Sequence, residues 1–310
     1  MTVALITHLA CLEHDTGPWH PECPDRLRHV LRALETEEFS TLLREQAPLA
    51  TKEQLLRVHP ARHVSHILGI RPEPGAHVAL DADTIMSAGS AEAGLRAAGG
   101  AVMAVDAVMD GWARRVFVAT RPPGHHAEPA QPMGFCLFAN AAVAARHAQA
   151  VWGLKRVAVV DFDVHHGNGT QAIFEADADL FYGSSHQHPC YPGTGAPSET
   201  GAFGNVVNVG LRPGSGSAAF RAAWDTQILP ALDRFAPELL IVSAGFDAHK
   251  ADPLAQLLVE VADFAWLTGL LQRCAETHCQ GRMVSLLEGG YDLDALAASV
   301  AAHVRVMLQD

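Results

Sequence analysis

Short runs of apolar and β-branched residues alternate along this chain with longer segments of helical periodicity. The runs are almost wholly apolar, which is typical of strands that are covered on both faces of a sheet. We predict strands at Val3–Thr7, Arg115–Ala119, Arg156–Asp161, Leu180–Gly183, Val206–Val209, Leu239–Ala244 and Met283–Glu288. We predict helices at Asp25–Phe39, Ser90–Met109, Ala139–Val151, Ser217–Phe235, Leu257–Cys279 and Ala295–Leu308. The alternation predicts an α/β protein with a central parallel β-sheet flanked by helices.

The chain has no repeat, low-complexity tract or flexible linker, so we expect a single domain over residues 1–310. Hydrophobic residues make up 49% and charged residues 18%, the latter below the roughly 25% of an ordinary soluble domain. This balance predicts a large core and excludes intrinsic disorder. Gly69–Gly89 contains two prolines and no clear periodicity, and we expect a long surface loop there.

The formal net charge is −12, from 22 Lys and Arg against 34 Asp and Glu. Proteins that bind nucleic acid are usually basic, so we expect no nucleic-acid partner. No run of about 18 apolar residues is present, and we expect neither a membrane span nor a secretory signal. The six cysteines contain no C-x-x-C pair, which is typical of reduced thiols in a cytoplasmic protein. The sequence does not indicate an oligomeric state.

One predicted strand continues into the string Asp161-Phe162-Asp163-Val164-His165-His166-Gly167-Asn168-Gly169. Alternate side chains of an extended backbone share a face, so Asp161, Asp163 and His165 are expected to point the same way. A second predicted strand ends just before Asp247. Taken singly, each residue is typical of a helix cap or a surface group. Together, Asp163, His165 and Asp247 predict a metal site with an open position, the arrangement of catalytic zinc.

Two further clusters of polar residues follow predicted strands. Thr120–Ala127 holds His125 and His126 in a turn stiffened by two prolines. A neutral imidazole beside a metal site is the usual general base. Glu288-Gly289-Gly290-Tyr291 can bring a phenol hydroxyl towards the same place, although a tyrosine after two glycines is also typical of a turn with an exposed ring.

These clusters, in this order, resemble the histone deacetylase superfamily, which includes zinc-dependent deacetylases, acetylpolyamine amidohydrolases and acetoin-utilisation proteins. The resemblance covers nearly the whole chain and implies the arginase/deacetylase α/β fold. The matching segments are His20–Arg26, Arg121–His126, Gly134–Cys136, Asp161–Gly169, Tyr191–Gly195, Ala244–Asp247, Asp252–Leu254 and Glu288–Tyr291.

The resemblance implies a role for each matching residue of the centre. Asp163, His165 and Asp247 are the implied ligands of one zinc ion per chain. His126 is the implied general base and acid. Tyr291 is the implied hydrogen-bond donor to the transition state.

The same resemblance implies that each histidine of the tandem pair has a partner. Asp161 is the implied partner of His125, and Asn168 that of His126. Asn168 stands where class I members have Asp, so the chain resembles a class II-type deacetylase. Without that carboxylate, His126 should be less basic, which suits a base that is neutral at rest.

Phe135 and Tyr191 match the two aromatic walls of a tunnel that holds the acyl-lysine stem. The residues implied to bind the substrate are His20, Asp83, Gly134, Phe135, Tyr191 and Leu254. In the polyamine-selective eukaryotic branch a Glu occupies the position of Leu254, so Leu254 argues against strict polyamine specificity.

A second cation is also implied, because the backbone of Asp161, Asp163 and His165, together with Ser184, resembles the family's potassium site. The identity of the first ion is left open, since two carboxylates and one imidazole also suit iron(II).

The implied activity is hydrolysis of the amide of an acyl-lysine side chain by metal-activated water, on a peptide or small acyl-amine that is cationic after deacylation. Deacetylation of acetylpolyamines or other small amides is the nearest alternative. A non-catalytic module that binds acyl-lysine is a further alternative from a different class.

Overall fold

A computed structural model of the chain describes residues 2–309. Its strands are β1 (Val3–Thr7), β2 (Leu43–Gln46), β3 (Val78–Ala79), β4 (Ile85–Met86), β5 (Arg115–Ala119), β6 (Val157–Asp161), β7 (Leu180–Gln187), β8 (Val206–Leu211), β9 (Leu239–Ala244) and β10 (Met283–Leu287). An 8-stranded sheet has the order β2-β1-β5-β10-β9-β6-β7-β8, and β3 and β4 form a separate hairpin. Every pair of neighbours in the large sheet is parallel, which confirms the predicted α/β class.

Helices cover both faces of this sheet. They are α1 (Pro24–Ala33), α2 (Lys52–Leu56), α3 (Ala61–Gly69), α4 (Ser90–Asp110), α5 (Asn140–Trp152), α6 (Asn168–Phe174), α7 (Ser217–Ala223), α8 (Leu229–Phe235), α9 (Val261–His278) and α10 (Leu293–Met307). Successive residues of β9 enter different apolar clusters: Leu240 packs with α1, α9 and α10, and Ile241 packs with α4 and α5. Burial on both faces explains why the central strands are continuously apolar.

The edge strand β2 was not predicted. Its four residues are all exposed, and they pair only with β1. The sequence Leu-Arg-Glu-Gln carries no apolar run, because an exposed edge strand has no buried face to mark it. The hairpin of β3 and β4 also lies inside the predicted loop Gly69–Gly89, where it is too short to show a period.

Several predicted helix ends were wrong. The helix predicted over Asp25–Phe39 ends at Ala33. The one predicted from Leu257 begins at Val261, because Glu260 and Asp263 form a capping box there. A π-helical turn, Trp224–Ile228, joins α7 to α8 inside the segment predicted as one helix.

The polar clusters follow β5, β10, β9 and β6, which are four adjacent strands at the centre of the sheet. Because these strands are parallel, their carboxyl ends meet at one edge, where α/β proteins usually bind ligands.

Among residues 2–309, no helix is both long and apolar enough to cross a membrane. All six cysteines are free thiols. The predicted domain bounds, residues 1 and 310, lie outside the described residues.

Candidate active site

Asp163, His165 and Asp247 form one buried cluster at this edge of the sheet, and their ligand atoms all lie within 4.8 Å of one another. His165 Nδ1 is 3.2 Å from Asp163 Oδ1 and 3.1 Å from Asp247 Oδ2. In a tetrahedral site with bonds of about 2.0 Å, ligand atoms stand about 3.3 Å apart. The three side chains therefore have the spacing to share one metal ion.

Backbone amides fix the orientation of both carboxylates. Asp163 accepts hydrogen bonds from the N–H of His165 at 2.9 Å and of Gly289 at 2.8 Å. Asp247 Oδ1 accepts one from the N–H of Val164 at 2.8 Å, which leaves Oδ2 facing His165. The loops after β6, β9 and β10 thus place the cluster together.

The electrostatics of the cluster favour a cation. Asp163 and Asp247 are 0% and 1% exposed. Burial and the charge of Asp163 raise the pKa of Asp247 to about 7. Burial alone would lower the pKa of His165, but hydrogen bonds with the two carboxylates raise it well above the usual value. Two carboxylates buried this close together are costly unless a positive charge neutralises them, and a bound divalent ion does so.

His125 and His126 lie beside the triad and have different partners. His125 Nδ1 donates to Asp161 Oδ2 at 3.0 Å, and the Tyr182 hydroxyl donates to the same oxygen at 3.0 Å. His126 Nδ1 lies 2.8 Å from the amide oxygen of Asn168, the first residue of α6. The structure therefore brings together both pairs that the sequence predicted.

These partners drive the two pKa values apart. Burial opposes the charged form of His125, but Asp163 and Asp161 outweigh it and raise its pKa to about 10. Burial lowers the pKa of His126 well below the usual value, and the positive charge of His125 lowers it further. His126 is therefore the neutral member of the pair.

Tyr291 reaches the site from the loop after β10. Its backbone N–H donates to Asp252 Oδ2 at 2.7 Å, and the guanidinium carbon of Arg26 lies 4.8 Å from its ring centroid. Burial raises the pKa of the phenol well above the usual value, so the hydroxyl keeps its proton. It can therefore act as a hydrogen-bond donor.

A cavity of about 220 Å³ connects these groups to the surface. Its lining residues are Asp83, His126, Gly134, Phe135, His165, Tyr191, Leu254 and Tyr291. Phe135 has a left-handed backbone, with φ at 68°, and its ring centroid lies 5.8 Å from that of Tyr291. The ring of Tyr191 lies edge-on to His126 at 5.1 Å. The two predicted walls thus line the same narrow space.

His20 and Ser184 lie at the margins of this site. The His20 ring packs against Phe135 at 4.7 Å, and its Nε2 lies 2.9 Å from the backbone oxygen of Asp83, so it supports the wall from outside. Ser184 lies opposite Asp161 on the adjacent strand, and its hydroxyl is 2.9 Å from His186 Nδ1. The potassium site stays a prediction.

One important residue received no role from the sequence. Glu288 is buried, and its Oε2 accepts hydrogen bonds from the N–H groups of Gly124 at 2.6 Å and His125 at 3.1 Å. It thereby holds the tandem histidines against the end of β10. Burial raises its pKa to about 7, against the opposing effect of His125. Its position directly after an apolar strand is the signal that could have found it.

Buried ion pairs fix the first loop of the chain to the histidine loop. Glu22 accepts hydrogen bonds from Arg121 and, at 2.9 Å, from Arg26. Arg26 also donates to the backbone oxygen of Gly290 at 2.6 Å, beside Tyr291. The four-residue spacing of Glu22 and Arg26 is a sequence signal for the Glu22–Arg26 pair, whereas Arg121 lies 99 positions from Glu22 and has no such signal.

Comparison with known proteins agrees with this geometry. A family model described as "Histone deacetylase domain" matches residues 20–307. The chain is 41% identical to Histone deacetylase 14, chloroplastic, of Arabidopsis thaliana, over 93% of this chain and 73% of the relative. It is 40% identical to the Histone deacetylase-like amidohydrolase of Pseudomonas aeruginosa, over 91% and 79%. A crystal structure of the HDA15 HD domain superposes with a TM-score of 0.91 at 37% identity, over 99% of this chain and 89% of that one.

The parallel sheet, the buried triad and the tandem histidines define the class as an α/β deacetylase or amidohydrolase. More particularly, the chain belongs to the histone deacetylase family, which confirms the resemblance. The name of the Arabidopsis relative includes "chloroplastic", and cytoplasmic localisation of this chain stays a prediction.

Proposed function

We propose that this protein removes acetyl or other acyl groups from the amine of acyl-lysine side chains, with one zinc ion bound by Asp163, His165 and Asp247. The observation that carries the proposal is that His126, Tyr291 and the triad member His165 all line one aromatic-walled cavity of about 220 Å³. A base, an oxyanion donor and a metal ligand are thus within reach of the same bound group.

The donor set supports the choice of metal. Two carboxylates and one imidazole, with His165 Nδ1 3.2 Å and 3.1 Å from the two carboxylate oxygens, fit zinc, and three protein ligands leave a position for reactants. Zinc supplies Lewis acidity, which polarises an acyl carbonyl and makes a water molecule more acidic.

The chain's own residues move the protons. His126 is neutral and its Nδ1–H is engaged by Asn168, so Nε2 is free to take the proton of the attacking water. The protonated ring then gives that proton to the leaving amine nitrogen. The Tyr291 hydroxyl donates to the oxygen that becomes negative, and one such donor is typically worth about 10²–10³ in rate. His125 keeps its positive charge through Asp161 and lowers the basicity of its neighbour.

The cavity supports a linear acyl-amine substrate. The rings of Phe135 and Tyr191 line the cavity of about 220 Å³ together with His126, and such aromatic faces can pack against an aliphatic stem. Leu254 at the lining offers no charge to a distal ammonium. The apolar side chain of Leu254 at this position therefore supports acyl-lysine over an acetylated polyamine as the substrate.

Steady-state rates on an acetyl-lysine peptide and on acetylated putrescine and spermidine test the substrate class. We expect a higher kcat/KM on the peptide, together with loss of activity after chelation of the metal and recovery with zinc. A higher kcat/KM on the polyamines would overturn the acyl-lysine assignment in favour of the alternative. Absence of turnover on every acyl-amine by metal-loaded protein would favour a binding module.

A further inference from the structure

The side-chain amide of Asn168 lies between His126 and a group of hydrogen-bond acceptors. Its Oδ1 lies 2.8 Å from His126 Nδ1. Its Nδ2 donates to Glu128 Oε1 at 2.9 Å, and also lies 3.3 Å from Met133 Sδ and 3.5 Å from the backbone oxygen of His126. The three neighbours of Nδ2 are therefore all hydrogen-bond acceptors.

These neighbours decide which way the amide faces. The oxygen and nitrogen of an Asn side chain are nearly equal in shape, so only the surrounding hydrogen bonds distinguish its two orientations. In the flipped orientation Oδ1 would face the Glu128 carboxylate, which accepts and cannot donate when it is ionised. Glu128 is the one charged group of the three, and charge-assisted hydrogen bonds are the stronger ones.

The orientation of the amide in turn determines where His126 carries its proton. An amide oxygen accepts only, so His126 must donate from Nδ1, and Nε2 is left with a free lone pair. If the amide flipped, its N–H would donate to Nδ1, and the ring proton would move to Nε2. In that tautomer the ring could not accept a proton from water at Nε2.

Glu128 is itself held in place by a tight turn. Its backbone N–H donates to the oxygen of Gln131 at 3.0 Å. His59, which precedes α3, lies 2.9 Å from the oxygen of Pro129 through its Nδ1. The carboxylate therefore approaches Asn168 from a segment anchored on both sides.

We propose that Glu128 is a positioning residue that orients the Asn168 amide and thereby sets the tautomer of His126. This inference rests on the proposed role of His126 as the base, and it names a third group behind that base. It also explains how a neutral amide can serve at a position where the resemblance to class I members implies a carboxylate, whose two equivalent oxygens need no orienting.

A double-mutant cycle tests the inference. In the wild-type background, Glu128→Gln should lower kcat about 10-fold with little change in KM. An effect of this size is typical when a residue that orients an active-site group through a hydrogen bond is replaced. In the Asn168→Asp background the new carboxylate has no N–H to orient and is repelled by Glu128, so the same change should not lower kcat further. Glu73→Gln, at an exposed carboxylate, is the matched control and should have no effect in either background. An equal loss from Glu128→Gln in both backgrounds would overturn the inference, because Glu128 would then act independently of the amide.

A second measurement does not depend on turnover. Nitrogen-15 NMR of the imidazoles, with His126 assigned by its absence in His126→Ala, reports which ring nitrogen carries the proton. We expect the Nδ1–H form in the wild type and a substantial Nε2–H population in Glu128→Gln. An unchanged tautomer in the variant would overturn the role of Glu128, whereas an inactive wild type with the expected tautomers would instead overturn the proposed function.

Discussion

Two histidines that are adjacent in the chain behave differently because their partners differ. His125 donates to a carboxylate and lies near Asp163, so its pKa rises to about 10. His126 is buried beside the positive charge of His125 and has a neutral amide as its partner, and its pKa falls well below the usual value. A charged and a neutral imidazole side by side allow only one of them to act as the base.

Tyr291→Phe tests whether the Tyr291 hydroxyl donates a hydrogen bond to the developing oxyanion. Removing the hydroxyl should lower kcat about 10² to 10³-fold, because one donor to the developing oxyanion is lost. Metal content should not change, since the phenol is not among the ligand residues. Tyr191→Phe, which keeps the wall ring, is the matched control and should leave kcat within a few-fold. Full turnover by Tyr291→Phe would show that this hydroxyl does not stabilise the transition state.

The sequence correctly predicted which residues lie together where each of them directly follows a strand of the parallel sheet. Asp163, His165 and Asp247 follow predicted parallel strands, and the structure brings them together. The contacts of Glu288 and Glu128 were not predicted. Glu288 meets His125 across 163 positions of sequence, and the partner of Glu128 depends on how the histidine loop turns. Such pairings exist only after the strands have assembled.

At the scale of elements, the loop after β10 is packed unusually tightly against the triad. A Cβ added at Gly289 would lie 2.1 Å from Asp247 Oδ2 and 2.5 Å from Asp163 Oδ2. The backbone N–H of Gly289 also donates to Asp163. This loop can approach the ligand carboxylates so closely only because residue 289 has no side chain.

Gly289→Ala should therefore displace the ligand carboxylates. We expect at least 10-fold weaker metal affinity and a parallel loss of activity, with an unchanged circular dichroism spectrum. Gly269→Ala in α9 is the matched control, because its added Cβ would come no closer than 3.7 Å to the nearest atom outside its own turn. It should leave metal affinity unchanged and stabilise the fold by up to about 1 kcal/mol. Metal titration of both variants checks this, and equal affinities would contradict the tight packing.

The sequence predicted the central elements and missed the peripheral ones for a physical reason. The bounds of β1, β5 and β9 were confirmed because these strands are buried on both faces. The edge strand β2 is exposed, and the hairpin of β3 and β4 has two residues in each strand, so neither shows a hydrophobic period. Their pairing depends on the rest of the sheet.

Over the whole molecule, several histidines away from the triad are buried and neutral. Burial lowers the pKa of His59 to about 4, and that of His186 and His303 to about 3. Their pKa in the unfolded chain is near 6.5, so below that pH the unfolded state binds more protons than the folded state. The stability they contribute is fully present above pH 6.5 and is lost as the pH falls from there through the folded-state pKa values of about 4 and 3.

His303→Gln tests this dependence at a core position. His303 is 0% exposed and lies 2.6 Å from the Thr268 hydroxyl and 2.9 Å from the Ser285 hydroxyl. Between pH 7 and pH 5 the free energy of unfolding should fall by about 2 kcal/mol less in the variant than in the wild type. His66→Gln, at an exposed histidine of α3, is the control and should leave the fall unchanged. Urea unfolding at both pH values measures it, and equal falls in His303→Gln and wild type would contradict the prediction.

The proposed function requires that Asp163, His165 and Asp247 bind one zinc ion on which deacylation depends. The direct measurement is metal content per chain, in protein purified without added ions, for the wild type, Asp247→Asn and the exposed-site control Asp225→Asn. We predict about one equivalent of zinc in the wild type and in the control, and a small fraction of that in Asp247→Asn with the fold retained. A full equivalent bound by Asp247→Asn, or two equivalents bound by the wild type, would contradict a single zinc site formed by these three residues.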